Sequence, residues 1–435
     1  MATVEDVQGR INPTSLRRVV AGAILGGTIE WFDYFIYASA AALIFGKLFF
    51  AGASPLVGTL ASFGTFAVGQ LMRPIGAIVL GNLGDKIGRK PILVTTFILM
   101  GGSTFIIGLL PTYGTVGVLA PILLVLFRLL QGFGAGAEYA GASIMMLEYA
   151  PPNRRGLYGS TGSIGSAAGL MFGTLVFTLL QLLPDSALLS WGWRLPFIVS
   201  AALVAVGLWV RTRVDESPMF EQVEQQKQVE RLPLKGLVLN ERKSLVQIFA
   251  LAAGLQMGTY VFLTYIITYL KGQAHFAAGT ATYLVFFAGI AAVIVTPLFG
   301  RLSDSIGRRV VFGGAALLAA ICVFPYFALI DTGNVVLAGV AVVVLGGIVI
   351  QAMAGVQGSL FGEVFSTKLR YSGFAVGREV SAAIFGGLSP LIATALVAAA
   401  GGSPWAVSIY LIAVLLLTFV ATLLVPETYK SALKL

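Results

Sequence analysis

The sequence predicts an all-α integral membrane protein with twelve transmembrane helices in two pseudo-symmetric six-helix bundles. Three observations carry this expectation. Hydrophobic residues make up 57% of the 435 positions and charged residues 11%, with a mean hydropathy of +0.91. A water-soluble fold has no means of hiding so much apolar surface, so the solvent of this chain is lipid. The apolar residues also gather into twelve stretches of about 20 residues, the length that crosses a hydrocarbon core as a helix. Finally, one cationic hairpin occurs twice. Gly81-Asn-Leu-Gly-Asp85-Lys-Ile-Gly88-Arg89-Lys90 returns as Gly300-Arg-Leu-Ser-Asp304-Ser-Ile-Gly307-Arg308-Arg309. The offset from Asp85 to Asp304 is 219 residues, about half the chain, which is the mark of an internal repeat.

The first six stretches lie near 19–46, 57–80, 92–110, 116–147, 157–182 and 194–212. The second six lie near 245–270, 277–299, 310–330, 335–362, 372–398 and 404–425. Between the sets runs the one long polar segment, whose charges alternate in sign at helical spacing as on a solvated surface helix. The expected division is an N-terminal bundle over 1–212, a linker over 213–243 and a C-terminal bundle over 244–435.

Arginine and lysine set the orientation. Arg10, Arg17, Arg18, Lys86, Arg89, Lys90, Arg154, Arg155, the linker, Arg308, Arg309, Lys368, Arg370, Lys430 and Lys434 fall on one side, against Lys47 and Lys271 on the other. Both termini and the linker are therefore expected in the cytoplasm of a bacterial cell, with the chain in its cytoplasmic (inner) membrane.

The formal net charge of +9 is spread over these hairpins, with no basic face interleaved with stacking aromatics, so no nucleic-acid partner is expected. Cys322 and His275 are each the single residue of their type, which leaves no intramolecular disulfide, histidine relay or metal cluster to expect. None of the glycine-rich stretches follows a strand, so a phosphate or dinucleotide cofactor is not expected either. An intramembrane enzyme would need convergent nucleophile, base or metal ligands, and the sequence offers none.

The hairpins have their own logic. Asp85 and Asp304 are placed to accept from free N–H groups at a neighbouring helix start, where the helix dipole favours a carboxylate. A second echo follows spans 4 and 10: Glu148 precedes Arg155 by seven residues, and Glu363 precedes Arg370 by seven. Two readings stand side by side. The basic residues fix topology alone, or Asp85, Arg89, Glu148 and Arg155 together with Asp304, Arg308, Glu363 and Arg370 also form a cytoplasmic gate that latches each bundle.

At these residues the chain resembles the major facilitator superfamily, whose loop signature is the Gly-x-x-x-Asp-x-x-Gly-Arg-Lys/Arg pattern above. Further segments resemble its metabolite:proton symporter family: Gly27-Thr-Ile-Glu30-Trp31-Phe32-Asp33-Tyr34-Phe35, Arg73-Pro74-Ile-Gly76, Arg128-x-x-Gln131-Gly132-x-Gly134-x-Gly136-x-Glu138, Trp191-Gly-Trp-Arg194-Leu-Pro-Phe, and Arg370-Tyr-Ser-Gly373. The resemblance covers spans 1 to 11. It implies a midplane cavity lined by spans 1, 4, 7 and 10, with spans 2, 5, 8 and 11 along the interface between halves. It also implies carriage of metabolites such as α-ketoglutarate, citrate, shikimate, proline or betaine, commonly with protons.

Ionisable residues inside spans each cost about 2.5–3.5 kcal/mol on insertion scales and face partners or cavities. Glu30 and Asp33, three apart in span 1, are expected on one helix face. Two close carboxylates in a low dielectric resist double ionisation, which suits a proton-coupling site, although an ion pair with Arg128 is the plainer reading. Arg128 and Glu138 are ten residues apart in span 4, about 15 Å along one face. Glu138 is read as a further proton acceptor or a packing residue. Arg378 in span 11 can grip a carboxylate with its guanidinium, or it forms an internal pair with Glu363, Glu379 or a group on span 2. Tyr34, Tyr37, Gln256, Tyr260 and Gln351 complete the candidate substrate cavity. Gln256, Tyr260 and Thr264 make an i, i+4, i+8 stripe.

The expected function is proton-coupled symport of a small organic anion, a mono-, di- or tricarboxylate, by alternating access in a monomer bathed in membrane lipid. The alternative is symport of a zwitterion or polyol such as proline, betaine or shikimate.

Overall fold

The computed structural model describes residues 13–87, 89–136, 138–212, 241–365 and 370–430. These residues fold into helices joined by short turns. The first half holds α1 (Pro13–Ala40, running on through Ala41–Phe45 and Gly46–Leu48), α2 (Pro55–Ile87), α3 (Arg89–Leu109), α4 (Leu119–Ala135, resuming as Glu138–Tyr149), α5 (Thr161–Leu180, preceded by Arg155–Gly159) and α6 (Leu195–Thr212). The second holds α7 (Arg242–Tyr260, then Val261–Tyr265 and Ile266–Gly272), α8 (Ala278–Ile306), α9 (Arg308–Asp331), α10 (Val335–Ala341, Val342–Val349 and Ile350–Val364), α11 (Arg370–Ser381, Ala382–Gly387 and Ser389–Ala399) and α12 (Trp405–Leu424). Ten of these stretches are long and apolar enough to cross a membrane, and α1 and α3 complete the twelve. The expected linker lies outside the described residues apart from its last three, which already belong to the start of α7.

Several helices outrun their apolar stretches. The second hairpin is hardly a loop, because α8 ends at Ile306 and α9 begins at Arg308. Gly307 alone breaks the helix, at φ 106°, a conformation that a side chain resists. Helical hydrogen bonding thus continues past the edge of the apolar run, and hydropathy by itself under-reads the length.

Four segments widen into π-type turns: Ala41–Phe45, Val261–Tyr265, Val342–Val349 and Ala382–Gly387. The first two sit at matching places in α1 and α7, so the repeat seen in the hairpins extends to backbone geometry. Such wide turns cluster at functional sites in helices.

Small residues set how closely helices approach. A Cβ on Gly132 of α4 would lie 2.0 Å from the Gly69 carbonyl oxygen of α2, so only glycine fits that crossing. Large apolar side chains such as Ile321, Val336 and Leu424 stand exposed where acyl chains would cover them. Exposed Trp191, Trp209 and Trp405 near helix ends suit the lipid–water boundary. Tyr269, also near a helix end, is by contrast buried and donates to Asp331 at 2.8 Å.

Candidate functional site

A chain of four buried charges crosses between the halves. Arg73 of α2 donates to Glu30 of α1 (2.9 Å) and to Glu379 of α11 (2.7 Å). Glu379 in turn accepts from its neighbour Arg378. Burying any one of these ions alone would be costly; together each is paired, which offsets that cost. The Arg378 guanidinium also lies over the Tyr139 ring of α4 at 3.9 Å.

Glu30 and Asp33 diverge despite their spacing. Glu30 turns to α2, whereas Asp33 accepts from Thr104 of α3 (3.0 Å) and from the Ser200 hydroxyl of α6. The 60° between positions i and i+3 is enough to send each to a different neighbour. Asp33 therefore has hydroxyl donors and no bonded cation among the described residues. Arg128 reaches it only through a relay: Arg128 donates to Gln131, Gln131 to Thr104 (2.7 Å), and Thr104 to Asp33. Its guanidinium is caged by the rings of Tyr37 (4.1 Å), Phe66 (5.2 Å) and Tyr34 (5.3 Å), a cation–π setting in place of the expected ion pair.

Two cavities flank this network. One lies between the halves and is lined by Trp31, Phe35, Ser163, Gln256, Thr259, Gln351, Gln357 and Arg378. Spans 1, 7 and 10 line it as expected, while α5 and α11 stand where span 4 was expected. The other sits within the first half and is lined by Glu30, Tyr34, Gln70, Arg73, Arg128 and Gln131. The structure thus separates Arg128 from Arg378. Tyr34 lines the second cavity, and Tyr37 and Tyr260 line neither. Gln70 donates to the hydroxyls of Tyr34 and Tyr260 (2.6 Å to the latter), and Tyr37 shares a hydrogen bond with Thr65 (2.6 Å). The expected stripe already breaks at Tyr260, inside the unbroken helix: Gln256, Thr259 and Leu263 line the cavity between the halves, while Tyr260 meets Gln70 and Thr264 lines neither cavity. Glu138 is buried in the first turn of the second stretch of α4 and lines neither cavity.

At the hairpin end, Asp304 accepts from the backbone N–H of Gly156 (2.8 Å) and Leu157 (3.0 Å), capping the start of α5 in the opposite half. Arg308 holds Asp304 (2.8 Å), Ser303 (2.8 Å) and Glu363 (3.4 Å). Arg155 lies in the field of Glu363, Arg308 and Asp304. Glu363 takes Arg308 and the Thr428 hydroxyl rather than Arg370, whose guanidinium donates to the carbonyls of Gly362 (2.9 Å) and Phe365 (3.5 Å). The Glu427 carboxylate caps α9 through the N–H groups of Arg308 (2.9 Å) and Arg309 (3.0 Å). The side chains of Asp85, Arg89 and Glu148 lie outside the described residues. Sequence reasoning named Glu379 as one of three candidate partners of Arg378, the pair the structure forms, and gave no role to Gln70, Arg73, Glu427 and Thr428. Arg73 and Glu379 carried a signal, being charges inside spans; the others carried none.

Twelve spans in two repeated halves, a polar cavity between them and ion pairs crossing their interface define a membrane transporter of the two-bundle type. The chain belongs to the Major Facilitator Superfamily, whose family model matches residues 23–377. It is 34% identical over 427 residues to the shikimate transporter of Escherichia coli (strain K12), covering 98% of each chain. It is 37% identical over 445 residues to an inner membrane metabolite transport protein of the same strain, covering 99% of each. Its identity to the proline/betaine transporter of Salmonella typhimurium is 37% over 399 residues, covering 89% of this chain and 79% of that one. Among solved structures, the proton:xylose symporter bound to 6-bromo-6-deoxy-D-glucose superimposes with a TM-score of 0.76 at 17% identity, covering 97% of this chain and 98% of that one.

Proposed function

We propose that this protein is a proton-coupled symporter for a small polar metabolite bearing a single carboxylate and several hydroxyls, a hydroxy acid of the shikimate class. The observation that carries the reading is the cavity between the halves. It presents one guanidinium, Arg378, among three amides (Gln256, Gln351, Gln357) and the hydroxyls of Ser163 and Thr259. One cation suits one carboxylate, while amides and hydroxyls suit a polyol. With Arg128 caged elsewhere, the cavity lacks the second cation that a di- or tricarboxylate would call for. The relative named a shikimate transporter, aligned over nearly its full length, supports the same choice. Proton coupling runs through the span 1 carboxylates Glu30 and Asp33, with Asp33, which lacks a bonded cation, as the proton's seat. The bundles 1–212 and 244–435 rock about the cavity as one monomer in the bacterial inner membrane, with both termini and the hairpin end cytoplasmic.

A second reading, a zwitterion such as proline or betaine, is favoured by the rings of Trp31 and Phe35 on the same cavity, which suit an ammonium group. The proline/betaine relative supports it too. Uptake into proteoliposomes under an imposed pH gradient, with labelled shikimate, proline, glycine betaine, α-ketoglutarate and citrate, tests both. Accumulation of shikimate ahead of the rest is expected. Preference for citrate, or indifference to the gradient, would overturn the reading.

A further inference from the structure

We propose that Glu379 is a positioning residue: it occupies Arg378 in the empty carrier and yields it to the substrate's carboxylate, which fixes coupling at one proton per monoanion. The inference rests on the cavity reading above.

The geometry supplies the surrogate. Glu379 spans two guanidinia, one oxygen on Arg378 and the other on Arg73. Arg378 faces the cavity, and its Nε has no hydrogen-bond partner among the described residues. An incoming carboxylate therefore meets a guanidinium with one edge free and the other held by a carboxylate that has a second cation to fall back on. On displacement, Glu379 keeps Arg73 across the interface between the halves.

Charge balance then dictates the proton. Three guanidinia (Arg73, Arg128, Arg378) line the two cavities, and three carboxylates are bonded to them, Glu30 and Glu379 directly and Asp33 through Thr104 and Gln131 to Arg128; buried Glu138 lines neither cavity and, among the described residues, is bonded to none of these three guanidinia. Glu379 is faced by Arg73 from α2, Glu30 from α1, Arg378 on its own helix and Tyr260 from α7. Asp33 is faced by Thr104 from α3, Ser200 from α6, Arg128 from α4 and Glu30 on its own helix. With all three carboxylates ionised the empty set is neutral. A monoanion alone leaves one negative charge in excess, and a proton alone leaves one positive charge, each unbalanced in a low dielectric. A monoanion together with a proton on Asp33 restores neutrality. The empty and fully loaded carriers are thus the two balanced states, and net movement is electroneutral.

Glu379→Gln removes both the surrogate and one negative charge, so the monoanion by itself now balances the set. The test is calorimetry of shikimate binding to the purified full-length carrier in buffers of differing ionisation enthalpy, with counterflow and gradient-driven uptake in proteoliposomes. The wild type should take up about one proton per ligand; Glu379→Gln should take up none, bind about tenfold more tightly because the competing carboxylate is gone, and lose pH-driven accumulation. Glu379→Asp should restore proton uptake. A residue that merely supports the fold would instead weaken binding and leave the proton count alone. Retention of one proton per ligand in Glu379→Gln overturns the proposal, whereas failure of the wild type to bind any metabolite of the panel counts against the function itself. A ligand-free arm covers that case: Glu379→Gln should lower the melting temperature in detergent, and Arg378→Gln in the same chain should recover most of the loss. No recovery would show that the two side chains do not balance each other, and the proposal falls.

Discussion

Gly358 of α10 offers a direct way to prise the halves apart at the hairpin end. A Cβ placed there would lie 2.2 Å from the Gly159 carbonyl oxygen and 3.0 Å from its carbon, both backbone atoms of the opposite half. Ordinary contact needs about 3.4 Å, so Gly358→Ala forces the two backbones apart by roughly 1 Å in the closed arrangement, an overpacking that costs about 1–3 kcal/mol. The opening arrangement carries no such clash, so the population ratio should move by about 5- to 150-fold toward it. The caps from Asp304 to Gly156 and Leu157 sit just beyond Gly159 and would stretch with the same movement. Spin labels at Arg154 and Arg301, exposed on opposite halves at this end, would report the change by pulsed electron resonance. Gly314→Ala is the control, since a Cβ there meets nothing within 4 Å. The expected result is a longer, broader distance distribution in Gly358→Ala with slowed uptake, and a wild-type distribution in the control. An unchanged distribution in Gly358→Ala would show that this contact does not hold the end closed.

Asp33→Asn should retain exchange of labelled substrate while losing accumulation driven by a pH gradient; undiminished accumulation would remove Asp33 from the coupling path. Asp304→Asn leaves one acceptor oxygen for the three donors Gly156, Leu157 and Arg308 that the carboxylate serves, a loss of about 1–3 kcal/mol from the closed hairpin end, so net uptake should fall sharply at normal membrane abundance, and normal uptake would leave the hairpin as a topological signal alone. Arg378→Lys keeps the charge but not the planar fork, so the Michaelis constant for a carboxylated substrate should rise about tenfold; a constant equal to that of the wild type would place the carboxylate elsewhere.

Much of the fold was legible because lipid imposes a simple grammar: apolar length gives spans, and a repeated hairpin gives the two halves. The buried charges were legible for the same reason, since Glu30, Asp33, Arg128 and Arg378 are conspicuous among apolar neighbours. Their partners were not. Arg73 and Glu379 are 306 residues apart, and helical periodicity fixes which face a residue occupies but not which helix that face meets. Glu30 and Asp33 illustrate this limit, as one nominal face serves α2 and the α3–α6 pair separately. The stripe through Gln256, Tyr260 and Thr264 failed for a related reason: the cavity takes the row Gln256, Thr259 and Leu263, and spacing alone does not say which of two adjacent rows faces it. Thr428 and Glu427 went unread because a polar residue beyond the last span carries no signal until its neighbours are known.

The reach of Glu427 back to α9 also bears on how the protein is made. Arg308 and Glu427 are separated by 119 residues. At 5–20 residues per second the ribosome needs roughly 6–24 s to cover that distance. For that interval α9 already has its first N–H groups at the membrane surface, served only by water. The cap on α9 is therefore completed only after α12 has been made, so a nascent chain stalled before residue 427 lacks it.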